Sequence, residues 1–179
     1  GWEVEIRERS ADQIVAGTAL AMWPAALRAL DEMGIGDHVR QLGVKQRGGS
    51  IRTVGGHKIL GLPGAKNTRG DLPEVMMIAR PVLTELLLSL LPRETVRFGS
   101  TVSSSTLENQ SRDVDLVVIA DGVHSTIRRQ IFGSRYAAHF AGVTVWRGSV
   151  PGEVTALTEY WGASKRFGIT PRAGGLINW

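Results

Sequence analysis

The run DLVVIADGVHSTIR, residues 115–128, constrains this chain more than any other stretch. Four consecutive apolar residues, 116–119, predict a strand covered on both faces. Asp121 and Gly122 follow, and a glycine there lets the backbone turn tightly and another group approach closely. Ser125 and Asp121 are the candidate capping groups of the helix that comes next. Free backbone N–H groups at such a helix start would face a ligand. Strand, turn and helix in that order make a cofactor-binding edge.

Bulk properties narrow the function classes. The chain has 179 residues, enough for one domain with a sizeable core or for parts of two. Its net charge of +4 is spread out, with no block of like charges, which argues against a nucleic-acid partner. Without cysteine there is no disulfide, thiolate metal site or cysteine nucleophile. The four histidines, His38, His57, His124 and His139, lack a second ligand at a metal-binding spacing, so no metal is expected. No signal peptide and no apolar run near the length of a membrane span are seen, so a cytoplasmic protein is the expectation.

Local patterns predict the elements around the central run. Residues 2–6 alternate and read as a short strand, with Glu8 and Arg9 at its carboxyl end. Residues 17–22 are extended, and Pro24 suits the first turn of a helix. Leu27, Leu30 and Met33 form its apolar stripe, and Gly34 caps it. A second short helix covers 37–42. Residues 51–54 and 57–60 flank Gly55 and Gly56 as a β-hairpin, and 63–73 reads as a loop. Residues 81–91 form an apolar helix with Leu83, Leu86, Leu87, Leu90 and Leu91 on its buried side, stopped by Pro92. Residues 96–98 read as a strand and 100–112 as polar turn. Beyond Tyr136, the stretches 142–150, 156–161 and 166–169 are strand-like, which suggests a second, β-rich domain.

Taken in order, these pieces resemble one family, the FAD-dependent aromatic hydroxylases or class A flavoprotein monooxygenases. WEVEIRER at 2–9 resembles the second strand of a dinucleotide fold. WPAALRALDEMGIGD at 23–37 resembles the family's "PNALRALDALGLGD" helix pair. ARPVL at 79–83 resembles its "R-x-x-L" helix start, and 115–128 its "GADGxxSxxR" motif. WRG at 146–148 resembles the first strand of its substrate domain. The implied fold is α/β: a partial Rossmann-like FAD-binding domain over 1–135, then the start of a mixed β-sheet substrate domain over 136–179. The implied activity is NADH- or NADPH-driven oxygenation of an aromatic or polyketide-like small molecule by O2, through a flavin C4a-hydroperoxide. The cofactor carries that chemistry, and the protein binds, orients and excludes water.

The resemblance assigns roles beside which a plainer reading stands. Glu8 would accept hydrogen bonds from the ribose hydroxyls, or be a solvated surface carboxylate. Arg9 would lie beside the adenine, or serve the surface. Arg80 would reach the flavin cofactor, or form a surface salt bridge. Val102 would offer backbone groups to the adenine. Asp121 and Gly122 would lie near the pyrophosphate and ribityl region, Asp121 orienting donors, or Asp121 would only cap a helix. Ser125 and Arg128 match the motif and could be structural; His124 receives no role. Arg147 would bind a substrate carboxylate or phenolate from a strand facing the cavity, or point to solvent. Trp161, Arg166 and Phe167 are weaker substrate-side candidates.

Some family features are missing from the sequence. No G-x-G-x-x-G phosphate loop and no late "GDAAH" motif occur, 100–112 is short, and Ile119 replaces a common glycine. The expectation is therefore a segment of an enzyme about twice as long, unable by itself to hold FAD tightly. The alternatives are a related flavin reductase or halogenase, and a flavin-free binding or assembly module.

Overall fold

The computed structural model describes residues 1–12, 17–62 and 74–179. In chain order its elements begin with β1 (Ile6–Arg7), β2 (Ala19–Met22), α1 (Pro24–Glu32), α2 (Gly36–Leu42), β3 (Val44–Lys45), β4 (Gly49–Thr53), β5 (Lys58–Leu62) and β6 (Met76–Ala79). They continue with α3 (Arg80–Ser89), β7 (Val96–Arg97), α4 (Ser104–Gln110), α5 (Thr126–Phe132), a single 3-10 turn (Ser134–Tyr136), β8 (Ser149–Pro151), β9 (Leu157–Trp161), β10 (Arg166–Arg172) and β11 (Leu176–Asn178). The loop expected at 63–73 lies outside the described residues. The chain divides into two compact units, each made of two stretches: Gly1–Gln13 with Arg93–Val145, and Ile14–Pro92 with Trp146–Trp179. The architecture is mixed α/β, as the sequence predicts.

The smaller unit is built on a parallel pair, β1 with β7, in the register Ile6↔Val96 and Arg7↔Arg97. Bonds from Ile6 N–H to Thr95 O (2.8 Å) and Glu8 N–H to Arg97 O (3.0 Å) extend it. The strand expected over 2–6 is thus shorter and shifted. The partner chain carries a left-handed residue, Glu94 (φ 72°), just before Thr95, and no strand among the described residues pairs with the residues before Ile6. Residues 100–112 are not merely turn: they contain α4, whose N-cap Ser103 accepts from Thr106 N–H at 3.2 Å. A serine cluster reads as turn because its hydroxyls compete for backbone groups, and the same competition makes it a helix cap.

The strand expected at 116–119 is absent. Leu116 is 67% and Val118 76% exposed, and no strand among the described residues pairs with this run. Apolarity favours burial but does not supply the neighbour that a ladder requires.

The larger unit holds two sheets. The first is antiparallel, in the order β2-β6-β3. On it pack α1, α2 and α3, enclosing a core of Leu27, Leu30, Ile35, Val39, Met76 and Ile78. Pro24 occupies the first turn of α1, where its missing N–H is not needed. The helix ends at Met33, so that side chain sits at the cap and is exposed rather than on the buried stripe. In α3 the leucine side is only half-buried: Leu83, Leu86 and Leu87 pack against the core, whereas Leu90 is exposed. Arg40 of α2 bonds Glu74 (3.0 Å) and Asp31 (2.9 Å), tying α2 to α1 and to the approach to β6. These carboxylates hold the guanidinium pKa above its ordinary value, although such exposed pairs contribute little stability.

The second sheet has six strands in the order β5-β4-β9-β10-β11-β8. Only β4 and β9 are parallel, so the sheet is mixed. The hairpin expected around Gly55 and Gly56 supplies β4 and β5. The stretch 142–150 is strand only from Ser149; Gly148 exchanges two backbone bonds with Trp179, and the residues before it are exposed and irregular.

Ile78 is fully buried at the centre of the smaller sheet. Replacing it with alanine is expected to cost about 2–5 kcal/mol in chemical denaturation. Ile59→Ala, on the exposed edge strand β5, is expected to cost under about 1 kcal/mol.

Candidate functional site

In the smaller unit the Asp-Gly turn is built by local hydrogen bonds. Gly122 has a φ of +87°, and Ser125 N–H returns to its carbonyl at 3.1 Å. Ser125 is buried and caps α5, its Oγ accepting from Arg128 N–H at 2.9 Å. Asp121 lies outside this cap. Its exposed carboxylate makes no hydrogen bond or ion pair among the described residues, which leaves it open to an external group.

Arg128 acts as a clamp on the same turn. Its guanidinium donates to the carbonyls of Val123 (2.6 Å), Tyr136 (3.1 Å) and Gly122 (3.5 Å). Two main-chain acceptors of the turn and one of the 3-10 segment after α5 are thereby bonded to one side chain. The motif's arginine thus has a structural task that the sequence alone left open. Around the turn lies a depression of about 200 Å³ lined by Ile119, Asp121, Gly122, Ser125, Arg128 and Phe132.

Glu8 stands at the carboxyl end of β1, as the sequence predicts. One carboxylate oxygen accepts from Ser10 N–H at 2.8 Å. That backbone bond, strongest among the causes, holds the carboxyl below the usual range, so it is ionised and able to accept hydrogen bonds at neutral pH. Ser100 N–H bonds Glu8 O (2.9 Å) and Gly99 N–H bonds Ser10 O (2.7 Å). The structure therefore joins the Glu8 loop to the segment that leads into Val102, which is half-buried between β7 and α4. Arg9 is exposed, and its charge next to Glu8 contributes to holding that carboxyl low.

In the larger unit β6 runs directly into α3, and Arg80 is the first helical residue. Its backbone N–H bonds Thr18 O at 3.1 Å. The side chain is exposed and forms no ion pair among the described residues, so its surface salt-bridge reading finds no partner there. Arg147 is also exposed, but it is not on a strand: β8 starts two residues later, because only from Ser149 does the chain find β11 to pair with.

At the β9–β10 hairpin Arg166 stacks over the Trp161 ring at 4.3 Å, and the Trp161 indole donates to Glu159 at 2.7 Å. A surface depression of about 310 Å³ is lined by Val54, Tyr160, Lys165, Arg166 and Phe167. Sequence reasoning noted Arg166 and Phe167 but missed Val54, Tyr160 and Lys165. Strand alternation does not tell which hairpin tips meet, and the parallel pairing Thr53↔Trp161 is what brings Val54 there. Among the described residues no cluster of three metal-ligating side chains occurs, and no helix is long and apolar enough to cross a membrane.

The chain is 31% identical to 3-amino-4-hydroxybenzoate 2-monooxygenase of Streptomyces cremeus over 170 residues, 86% of this chain and 42% of that enzyme. It is 24% identical to aurachin C monooxygenase/isomerase of Stigmatella aurantiaca, over 100% of this chain and 50% of that one. Among solved structures, Klebsiella pneumoniae HpxO complexed with FAD and uric acid superposes with a TM-score of 0.66 at 18% identity, covering 97% of this chain and 48% of that one. A crystal structure of an MHPCO mutant superposes with a TM-score of 0.71 at 18% identity, covering 99% and 51%. No family model matches the chain. The homologues are FAD-dependent aromatic hydroxylases and monooxygenases, consistent with the class A flavoprotein monooxygenase family. It spans about half the length of the relatives it matches.

No atom lies near the place of a Cβ on Gly122, so substitution there meets strain but no clash. Gly122→Ala is expected to cost about 1–2 kcal/mol from the left-handed backbone alone, and Ser125→Ala about 0.5–2 kcal/mol through the lost cap. Thermal unfolding of both variants checks these values, and equal stability to the parent would contradict the turn geometry.

Proposed function

We propose that this chain is the cofactor-binding segment, with the start of the substrate sheet, of an FAD-dependent monooxygenase. Residues 1–135 would carry the partial Rossmann-like cofactor domain, and 136–179, with the hairpin β4–β5, the substrate sheet. The observation that carries the reading is the Asp-Gly turn: an open carboxylate and a bare glycine on a rigidly clamped turn, in a chain homologous to flavin-dependent oxygenases.

The residues present suit FAD. Ionised Glu8 has the acceptor capacity for ribose hydroxyls, and Arg9 and the main chain at Val102 flank it for the adenine end. The missing Cβ at Gly122 leaves room for the pyrophosphate and ribityl part, with Asp121 orienting donors rather than meeting phosphate. Arg80, without a counter-ion among the described residues, supplies positive charge to the flavin cofactor. Arg147 is the proposed anchor for a substrate carboxylate or phenolate, and the cationic, aromatic depression at Arg166 supports an anionic aromatic ligand. Bound FAD supplies the redox chemistry: two electrons from NADH or NADPH and O2 place one oxygen atom on the substrate and the other in water. The protein binds, orients and keeps water out. The substrate class is an aromatic or polyketide-like small molecule.

The test is made on the complete protein carrying this segment. Bound flavin, NAD(P)H oxidation stimulated by an aromatic substrate, and one atom of ¹⁸O2 in the product are expected. Glu8→Ala and Arg80→Ala are each expected to weaken FAD about tenfold. A protein purified without flavin that takes up none on titration would contradict the proposal.

A further inference from the structure

Asn178, on β11, is a polar hub of the larger unit and is only 7% exposed. Its Oδ1 accepts from the backbone N–H of Ala19 at 3.3 Å and from the Ser149 hydroxyl at 3.1 Å. Its Nδ2 donates to Thr170 Oγ1 at 3.3 Å. The Ser149 oxygen in turn accepts from the Arg172 guanidinium at 2.6 Å. One side-chain amide therefore joins β8, β10 and β11 of the six-stranded sheet to the first residue of β2 in the other sheet. Buried amides are costly unless satisfied, so this arrangement is held in one geometry.

The consequence reaches Arg80 within two residues. Thr18, next to Ala19, accepts the Arg80 N–H. At Gly17 an added Cβ would stand 3.2 Å from Arg80 Cβ and 3.4 Å from its Cδ. The aliphatic stem of Arg80 thus lies against bare backbone at the start of β2, and that backbone is where Asn178 takes hold. We propose that Asn178 is a positioning residue for Arg80: by fixing residues 17–19 it fixes the bed of the stem and so the direction of the guanidinium. The proposal rests on the reading that Arg80 reaches the FAD.

The experiment is a double-mutant cycle on the complete protein, stripped of flavin and titrated with FAD by flavin fluorescence. Asn178→Leu and Arg80→Ala are each expected to weaken FAD about tenfold, and the double variant to be no weaker than Arg80→Ala alone. The visible circular dichroism of bound flavin is expected to change alike in both single variants. Asn178→Asp keeps the acceptor for Ala19 and is expected to restore most of the affinity. Ser149→Ala loses the hydroxyl's bonds to Asn178 and Arg172 but leaves Asn178 Oδ1 accepting from Ala19, and is expected to bind FAD like the parent. If Asn178→Leu does not fold, the milder Asn178→Ser, which withdraws the acceptor from Ala19, enters the same cycle. Additive losses in the double variant, or parental affinity in the Asn178 variants beside a loss in Arg80→Ala, overturn the proposal and leave the Arg80 role standing. Parental affinity in Arg80→Ala overturns that role, and the proposal with it.

Discussion

The strand Met76–Ala79 is the constraint on which the larger unit depends. It is paired on both sides, by β2 and by β3, and three of its four residues are buried. Central strands tolerate little, because each side chain is packed and each backbone group is committed. Its last residue, Ala79, is also the N-cap of α3, so no loop separates the packed core from Arg80. A surface cation thereby inherits the rigidity of the core. That is what a cofactor contact needs, since a group on a rigid element is placed more accurately than one on a loop.

The smaller unit solves the same problem with hydrogen bonds instead of packing. Its turn at Gly122 is held by the Ser125 cap and by three carbonyls bonded to Arg128. Its Glu8 loop is held by backbone bonds to Gly99 and Ser100 and by the carboxylate's own bond to Ser10. In both places the satisfied main chain holds an acid at a fixed position, Asp121 exposed and Glu8 half-buried. Asp121 is unpartnered among the described residues, and Glu8 is ionised with one oxygen engaged.

What the sequence made legible was local. Pro24 and Gly34 bracket α1, the paired glycines make the β4–β5 turn, and Ser125 caps α5, because each acts within a few residues of itself. The elements misread were those whose fate depends on a distant neighbour. Residues 116–119 have strand-like apolarity but no partner strand among the described residues, and Arg147 precedes the point where β8 finds β11. The same limit applies to the site. Glu8 and Gly122 could be singled out from strand-end and turn chemistry. Asn178 could not, because its bond to Ala19 spans 159 positions and nothing in the surrounding residues announces it.

The central claim is that the Glu8 loop and the Asp-Gly turn are cofactor-binding backbone, not merely well-capped turns. Amide hydrogen exchange of the complete protein, with and without FAD, tests it most directly. Slower exchange on FAD binding is expected at residues 8–10 and 121–125, with little change along the exposed strand β5. Equal exchange at both segments, with FAD demonstrably bound, would contradict it.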